Sequence, residues 1–210
     1  MLRVAKRSDG AAIASIYLAC VGDAAQAENG ESLSTSMAHE IGRIGSTYPF
    51  LVWEDESGIQ GYAFASRYRE GPEFRWSVEE FLFAHQDIKG RMVGKGLLTA
   101  LVEILRELGY SKVFAAIAAP NAVDEALHRN LEFEPLCTVR DAVFARGAWR
   151  DLSWMARTLR EPVRSDKGAL PLDPIAFPRF EQADSGLLKS ILASAAQDKK
   201  QKNPLGTEPG

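Results

Sequence analysis

Two strand-like runs enclose one long helical pattern in the middle of the chain, and this arrangement constrains the fold most. Leucine and isoleucine recur at helical spacing across residues 94–108, and Gly109 follows as a C-cap. A strand candidate precedes the helix at 76–84, and a buried strand of small and branched residues follows at 113–119. A strand, a helix and a strand in one sheet imply a right-handed parallel crossover. We therefore expect a β-α-β unit at the centre of the fold.

Strand-like runs on both sides of this unit predict antiparallel pairing. Residues 50–54 and 61–66 are separated by an Asp-Glu-Ser-Gly turn, which predicts a hairpin. A short helix is predicted at 124–130, and two final strands at 137–144 and 149–159. The element order β-α-(α)-β-β-β-α-β-α-β-β predicts an α/β (α+β) fold. Its sheet is expected to be mixed and mostly antiparallel, with flanking helices and the central crossover.

The composition changes near residue 160, which predicts one domain over 1–160 and a tail over 161–210. Six of the ten prolines follow Glu161, and the polar end after Gln197 is typical of disorder. Between them, apolar residues on one helical face predict a short helix near 185–196, docked on the body or on a partner. We expect the fold to survive removal of the residues after about 165.

Charge and cysteine usage narrow the function classes. The formal net charge is −3 and the isoelectric point is about 5.7, which argues against a broad basic surface for nucleic acid. No apolar run reaches the roughly 18 residues of a membrane span. Cys20 and Cys137 are far apart and no Cys/His cluster occurs, so neither a disulfide framework nor a metal site is expected. Residues 6–20 loosely resemble a leader, but the helix signal at Ser8 and Asp9 favours a helix and a cytoplasmic protein.

A basic, glycine-rich segment at 89–96 opens the central helix. Main-chain N–H groups at a helix start, together with the positive end of the helix dipole, form an anion site suited to phosphate. Its glycines would let the backbone approach a ligand closely. The segment is neither a P-loop nor a dinucleotide fingerprint, because it lacks the spacing of both.

Several blocks of the sequence, in order, resemble the GCN5-related N-acetyltransferase (GNAT) family. Residues 89–98 resemble the family's acyl-coenzyme A loop, Arg/Gln-x-x-Gly-x-Gly/Ala. The blocks at 48–52, 74–79, 120–128 and 144–151 resemble further segments of the phosphinothricin and methionine sulfoximine/sulfone N-acetyltransferases. The resemblance covers roughly residues 2–159, which would make 1–160 the acetyltransferase domain.

The resemblance implies acetyl-coenzyme A (acetyl-CoA) as cosubstrate and no metal. The backbone of one strand edge would pair with the pantetheine arm, and the basic segment would hold the pyrophosphate. Two asparagines near the short helix would contact the coenzyme as well. The implied coenzyme residues are Leu82, Phe83, Ala84, Lys89, Gly90, Arg91, Met92, Val93, Gly94, Lys95, Asn121 and Asn130.

The resemblance also implies the catalytic and acceptor residues. Glu79 matches the family's base or ammonium anchor, and His128 matches a position near the coenzyme sulfur. Pro72, Glu73, Phe74 and Glu79 would line the acceptor site, and Arg69 or Arg75 would pair with an acceptor carboxylate. Glu80 points to the opposite face of the strand, so we expect its substitution to be nearly silent. The expected partners are a small-molecule amine and, as one option, a second copy of the chain, with no nucleic acid and no membrane.

Two departures from the family pattern keep other functions open. In the register that preserves Leu97, Met92 occupies the first motif glycine, and Glu132 occupies a glycine position after the short helix. The leading interpretation is acetylation of a small, amino-acid-like amine. The alternative is a degenerate module that binds acyl-CoA for sensing or regulation. A third interpretation is acylation of a protein N-terminus or lysine.

Overall fold

In the part of the chain that the structure describes, seven strands form one sheet, and helices cover both of its faces. The computed structural model describes residues 1–22, 32–85, 88–145, 147–161 and 171–197, with 88–91 described by their backbone alone. The strands are β1 (Leu2–Val4), β2 (Phe50–Asp55), β3 (Gly58–Arg67), β4 (Ser77–Ala84), β5 (Lys112–Ala119), β6 (Glu134–Ala145) and β7 (Ala148–Thr158). The helices are α1 (Gly10–Val21), α2 (Leu33–Gly45), α3 (Ile88–Leu108), α4 (Ala122–Asn130), α5 (Phe177–Ala183) and α6 (Ser185–Gln197).

The strand order is β1-β2-β3-β4-β5-β7-β6, and β4 and β5 are the parallel pair. The other neighbouring strands in this order pair antiparallel. The predicted β-α-β crossover is therefore confirmed as β4-α3-β5. The predicted hairpin is confirmed as β2 and β3, joined at Asp55 and Gly58, where Gly58 has a φ of +103°.

Two apolar cores hold the helices to the sheet. Helices α1 and α2 pack on one face through a cluster that contains Ile13, Ile44 and Phe50. Helix α3 packs on the other face, with its stripe of leucines and isoleucines fully buried, as predicted. We call these the α1 face and the α3 face. No helix in the described part of the chain is long and apolar enough to cross a membrane.

Helix α3 begins at Ile88, six residues before the predicted start at Gly94. The apolar stripe of the helix starts at Leu97, so the spacing of apolar residues did not indicate the turns from Ile88 to Val93. Val93 holds one of those turns to the sheet. It is buried, and a Cβ at Gly61 would lie 2.8 Å from its Cγ1. Residues 89–96 therefore belong to α3 and do not form a turn before it.

The C-terminal segment packs into the same core as α3. Phe177, Phe180, Leu188 and Ala195 are at most 8% exposed and belong to the α3-face cluster. The predicted helix is confirmed as α6. Of the two predicted docking places, the body of the protein and a partner, α6 packs on the body. Helix α5 was missed because its prolines indicated an irregular tail, yet Pro178 lies in its first turn, where proline is tolerated. This packing contradicts the expectation that the residues after 165 are dispensable for the fold.

Candidate active site

A gap opens in the sheet where β4 and β5 separate. Their ladder ends at the pair Glu80 and Ala115, although each strand continues for four more residues, to Ala84 and Ala119. On their outer sides both segments stay paired, β4 with β3 and β5 with β7. The main-chain groups that face the gap are therefore held in place by ordered neighbours, which suits the binding of an extended ligand between the strands.

Residues of β4 alternate between two environments beside this gap. Val78, Glu80 and Leu82 face the α3 side, where Val78 belongs to the core. Glu79 and Phe83 face the α1 side, where the Phe83 ring packs against Tyr17. The two predicted catalytic side chains, Glu79 and His128, consequently lie on opposite faces of the sheet, and the structure does not bring them together.

Glu80, and not Glu79, contacts His128. Glu80 Oε1 lies 2.8 Å from His128 Nε2, and both side chains are 3% exposed. The other ring nitrogen, Nδ1, lies 2.7 Å from the main-chain oxygen of Asp124. Both neighbours can accept a hydrogen bond, so the imidazolium form of the ring can donate from both of its nitrogens. Burial lowers the pKa of His128, but Glu80 and, to a smaller extent, Asp124 together outweigh it and raise that pKa above its usual value.

The premise that Glu80 points to the opposite face from Glu79 is confirmed, but that face is the interior, where the Glu80 carboxylate contacts the buried ring of His128. A silent substitution at Glu80 therefore does not follow from this geometry. The second oxygen of Glu80, Oε2, is also buried and has no hydrogen-bond partner among the described residues. Removing the charge of Glu80 would therefore leave a buried imidazolium without its counter-ion.

Aromatic side chains surround Glu79 on the α1 face. Glu79 pairs with Ser66 of β3 and with Phe114 of β5. Tyr68 stacks on Phe114 with ring centroids 3.9 Å apart, and Trp154 lies edge-on to Tyr68 at 6.4 Å. Burial raises the pKa of Glu79, and the adjacent Glu80 adds to that increase. The sequence analysis missed Tyr68, Phe114 and Trp154, because only the strand register shows that they are neighbours of Glu79.

The predicted acceptor residues form a short 3₁₀ turn before β4, Pro72–Phe74. Pro72 and Glu73 are exposed, and the Phe74 ring lies edge-on to Tyr68 at 6.1 Å. This turn therefore joins the aromatic cluster beside Glu79.

The two arginines near the turn have different partners. Arg75 Nη1 lies 3.0 Å from an oxygen of Asp173, and the guanidinium also lies over the Trp76 ring. The guanidinium of Arg69 lies 5.2 Å from the centre of the Tyr68 ring. Arg75 is thus engaged by the C-terminal segment, and Arg69 lies over the aromatic cluster.

The predicted pyrophosphate segment forms the first two turns of α3. In a helix only the first turn leaves main-chain N–H groups without intrahelical acceptors, so those of Met92 and Lys95 bond within the helix. This corrects the expected row of donors from Gly90 to Lys95. The Met92 side chain is 43% exposed, and its φ is not positive. Gly94 is buried, and a Cβ there would touch Leu82 and Leu127 at 3.5 Å.

The two predicted coenzyme asparagines lie at opposite ends of α4, about 13 Å apart at 1.5 Å per residue. Asn121 is the N-cap, and its side-chain oxygen accepts a hydrogen bond from the Asp124 N–H at 3.2 Å. Asn130 is exposed and lines a cavity of about 240 Å³. The other residues lining this cavity are Thr99, Glu103, Leu131, Glu132 and Arg157. Their contacts with a coenzyme remain a prediction.

The described residues contain no group of three or more His, Cys, Asp or Glu side chains arranged to hold a metal ion.

Comparison with known proteins identifies what this arrangement is similar to. Residues 2–154 match the family model described as an acetyltransferase (GNAT) domain. The L-amino acid N-acyltransferase of Escherichia coli (strain K12) is 30% identical over 79% of this chain and 97% of its own length. The L-methionine sulfoximine/L-methionine sulfone acetyltransferase of Pseudomonas paraeruginosa is 34% identical over 78% of this chain and 96% of its own length.

A solved structure has the same fold. The crystal structure of a GNAT superfamily phosphinothricin acetyltransferase from Sinorhizobium meliloti in complex with acetyl-CoA superimposes with a TM-score of 0.69 at 32% identity. The match covers 81% of this chain and 95% of that one. The predicted fold class and family resemblance are both confirmed.

Proposed function

Because the chain belongs to the GNAT acetyltransferase family, we propose that it moves an acetyl group from acetyl-CoA to the amino group of a small, amino-acid-like substrate. The names of its relatives support this substrate class, since they act on L-amino acids and L-methionine sulfoximine or sulfone. One observation of the structure carries the proposal, namely the gap between β4 and β5 with the half-buried Glu79 beside it.

The gap fits the coenzyme's pantetheine arm. The arm carries amide groups, and the part of β4 beyond its last pair with β5, Leu82 to Ala84, offers main-chain groups to an extended chain. The Cys20 thiol donates to the Ala84 main-chain oxygen at 3.6 Å. The first turn of α3 follows β4, so its N–H groups and positive dipole end would hold the pyrophosphate. Lys89, Arg91 and Lys95 add positive charge to that segment. When bound, acetyl-CoA supplies the activated acetyl group.

Glu79 is the proposed base on the α1 face. An amine must lose a proton to attack an acyl carbon, and a carboxylate with a raised pKa accepts that proton more readily near neutral pH. The C–N bond forms as the C–S bond breaks, and the sulfur leaves as a thiolate that needs a positive neighbour or a proton. His128 is the proposed group for the sulfur. In its imidazolium form both N–H groups have acceptors, so it would act first as a fixed positive charge.

The acceptor would lie along the aromatic cluster of Tyr68, Phe74, Phe114 and Trp154. Its ammonium group would face Glu79, and its apolar part would contact the rings. Arg69 is the proposed partner of an acceptor carboxylate, because Arg75 already binds Asp173.

We also propose that the protein works in the cytoplasm as a homodimer. Cys20 and Cys137 are not joined to each other by a disulfide, which suits a reducing compartment. The hairpin of β6 and β7 ends the sheet, and four of its large apolar side chains are 46–64% exposed. Such a surface is typical of an interface, which supports its burial against a second copy of the chain. These side chains are Leu136, Val139, Phe144 and Trp149.

Two measurements test the proposed activity. Calorimetry with acetyl-CoA tests binding of the coenzyme, and thiol release in the presence of each member of a panel of L-amino acids, methionine sulfoximine and phosphinothricin tests transfer. We expect binding, and release that depends on the added amine above a control without acceptor. Binding without any amine-dependent release would favour the acyl-CoA sensing module, and the absence of binding would contradict both functions.

A further inference from the structure

A stretch of the C-terminal segment, residues 171–176, runs over the turn that leads into β4. We call these six residues the strap. The indole N–H of Trp76 donates to the main-chain oxygen of Leu172 at 2.9 Å. Arg75 Nη1 lies 3.0 Å and 3.4 Å from the two carboxylate oxygens of Asp173. Two consecutive residues of the strap therefore bind two consecutive residues of the turn.

The bound turn belongs to the acceptor side of the proposed active site. Arg75 and Trp76 directly follow the 3₁₀ turn that carries Phe74. Glu79 lies three residues beyond Trp76, about 10 Å along the strand at 3.3 Å per residue. A shift of this turn would move Phe74 against Tyr68 and change the entry to β4. The strap thus holds the residues that would contact the acceptor.

The strap is itself anchored to the body of the protein. The Ile175 N–H donates to the main-chain oxygen of Leu108 at 2.8 Å, at the end of α3. The Phe177 N–H donates to the main-chain oxygen of Thr47 at 2.9 Å, and its ring is 2% exposed. Because α5 and α6 then pack along the core, the strap is a fixed support for the turn. It lies beyond residue 154, where the matched family domain ends.

We propose that the strap is a positioning element for the acceptor, with Asp173 as a positioning residue that acts through Arg75. It fixes the turn through Trp76, and it occupies Arg75 with an internal carboxylate. This leaves Arg69 as the guanidinium for the substrate carboxylate. The proposal rests on the proposed function, because it assigns a role in acceptor binding.

The size of the expected effect follows from the exposure of these contacts. The side chains of Arg75 and Asp173 are 40% and 65% exposed, and an exposed ion pair alone contributes little. The test therefore removes both contacts together, in the full-length double variant Asp173→Ala/Trp76→Phe. The phenylalanine keeps an aromatic ring beneath Arg75 but has no N–H to donate.

The matched control is Asp184→Ala. Asp184 lies in the same C-terminal segment, and its carboxylate accepts a hydrogen bond from the Leu187 N–H at 2.9 Å at the start of α6. This substitution removes a carboxylate of the segment without touching the turn. It separates a general loosening of the C-terminal segment from a loss of the strap's own contacts.

Steady-state kinetics and hydrogen exchange give separate answers. In the double variant we expect the KM for the best amino-acid acceptor to rise about 3- to 10-fold, with kcat and the KM for acetyl-CoA within twofold. We also expect faster amide exchange across residues 69–76. Asp184→Ala should change neither.

An unchanged acceptor KM in the double variant, or an equal rise in Asp184→Ala, would overturn the proposal. If the wild-type protein acetylated no amine, the proposed function would fail, and unchanged exchange across 69–76 would separately show that the strap does not hold the turn.

Discussion

At the scale of single residues, two adjacent glutamates have different surroundings. Glu79 lies half-buried on the α1 face beside aromatic rings, whereas Glu80 is 5% exposed on the α3 face and bonded to His128. The difference arises because successive side chains of a strand point to opposite faces. One substitution should therefore affect catalysis, and the same substitution at the next position should affect stability.

Glu79→Gln is expected to lower kcat/KM for the acceptor by 10²- to 10⁴-fold, because it removes the proposed base and keeps the shape of the side chain. The dissociation constant for acetyl-CoA should stay nearly unchanged. Steady-state kinetics and calorimetry measure the two quantities. A loss below threefold on the best acceptor would remove Glu79 from the mechanism.

Glu80→Gln is the comparison variant, and its main effect is expected on the free energy of unfolding. The folded-state pKa of His128 is raised above 6.5, so the pair stabilises the protein fully below about pH 6.5 and less as pH rises through the folded pKa. The variant should lose about 1–3 kcal/mol at pH 6 and less at pH 9. Urea unfolding at both pH values measures this, and a loss that is independent of pH would contradict the ion pair.

At the scale of elements, helix α6 is stabilised by packing on α3. A Cβ at Gly96 would lie 2.5 Å from the Trp53 ring and 3.1 Å from the main-chain oxygen of Ala195, so α3, the sheet and α6 approach closely at this glycine. Leu188 contributes a 4% exposed side chain to the same core. The C-terminal helix is therefore part of the body, and its removal would expose the outer surface of α3.

Two leucines of the C-terminal segment test this packing. Leu188→Ala is expected to lower the free energy of unfolding by about 2–4 kcal/mol, because it leaves a cavity in the core. Leu172 is 92% exposed, so Leu172→Ala should stay within about 0.5 kcal/mol of the wild type. Thermal or urea unfolding compares them, and equal small losses would mean that α6 does not pack as described.

At the scale of the whole molecule, the β6 end of the sheet is an exposed edge. Strand β6 is twelve residues long, borders the sheet and is exposed along nearly its whole length. Proteins rarely leave such an edge open, because its free main-chain groups pair with other chains. A second copy with the same edge can satisfy both by two-fold antiparallel pairing.

The proposed dimer predicts a particle of about twice 23.0 kDa, measured by light scattering coupled to gel filtration at micromolar concentration. Trp149 is 64% exposed on the hairpin, so Trp149→Lys should shift the mass toward the monomer. Leu172→Lys also replaces an exposed apolar side chain with a lysine, but it lies away from the hairpin, so it should leave the mass unchanged. A monomeric wild-type protein would contradict the proposal.

The sequence predicted the elements with strong periodic patterns and the family, but it missed contacts that depend on strand register. The buried stripe of α3 and the β2–β3 hairpin could be predicted because they depend only on the spacing of nearby residues. The Glu80–His128 pair joins residues 48 positions apart, and it exists because β4 carries Glu80 into the interior beside α4. The strap was missed because prolines and polar residues conceal a segment held by main-chain hydrogen bonds.

Because Glu79 and Glu80 point to opposite faces, strand β4 separates two chemical environments, and one step along the chain leads from one environment to the other. Odd-numbered residues of β4 face the proposed amine side and even-numbered residues face the proposed sulfur side. Two neighbours in the sequence therefore lie in different environments. Inserting one residue ahead of Glu79 would move Glu79 into the interior place of Glu80 and Glu80 into the place of Phe81, so each carboxylate would lie on the wrong face. We therefore expect the length of this strand before the gap to stay fixed over evolutionary time.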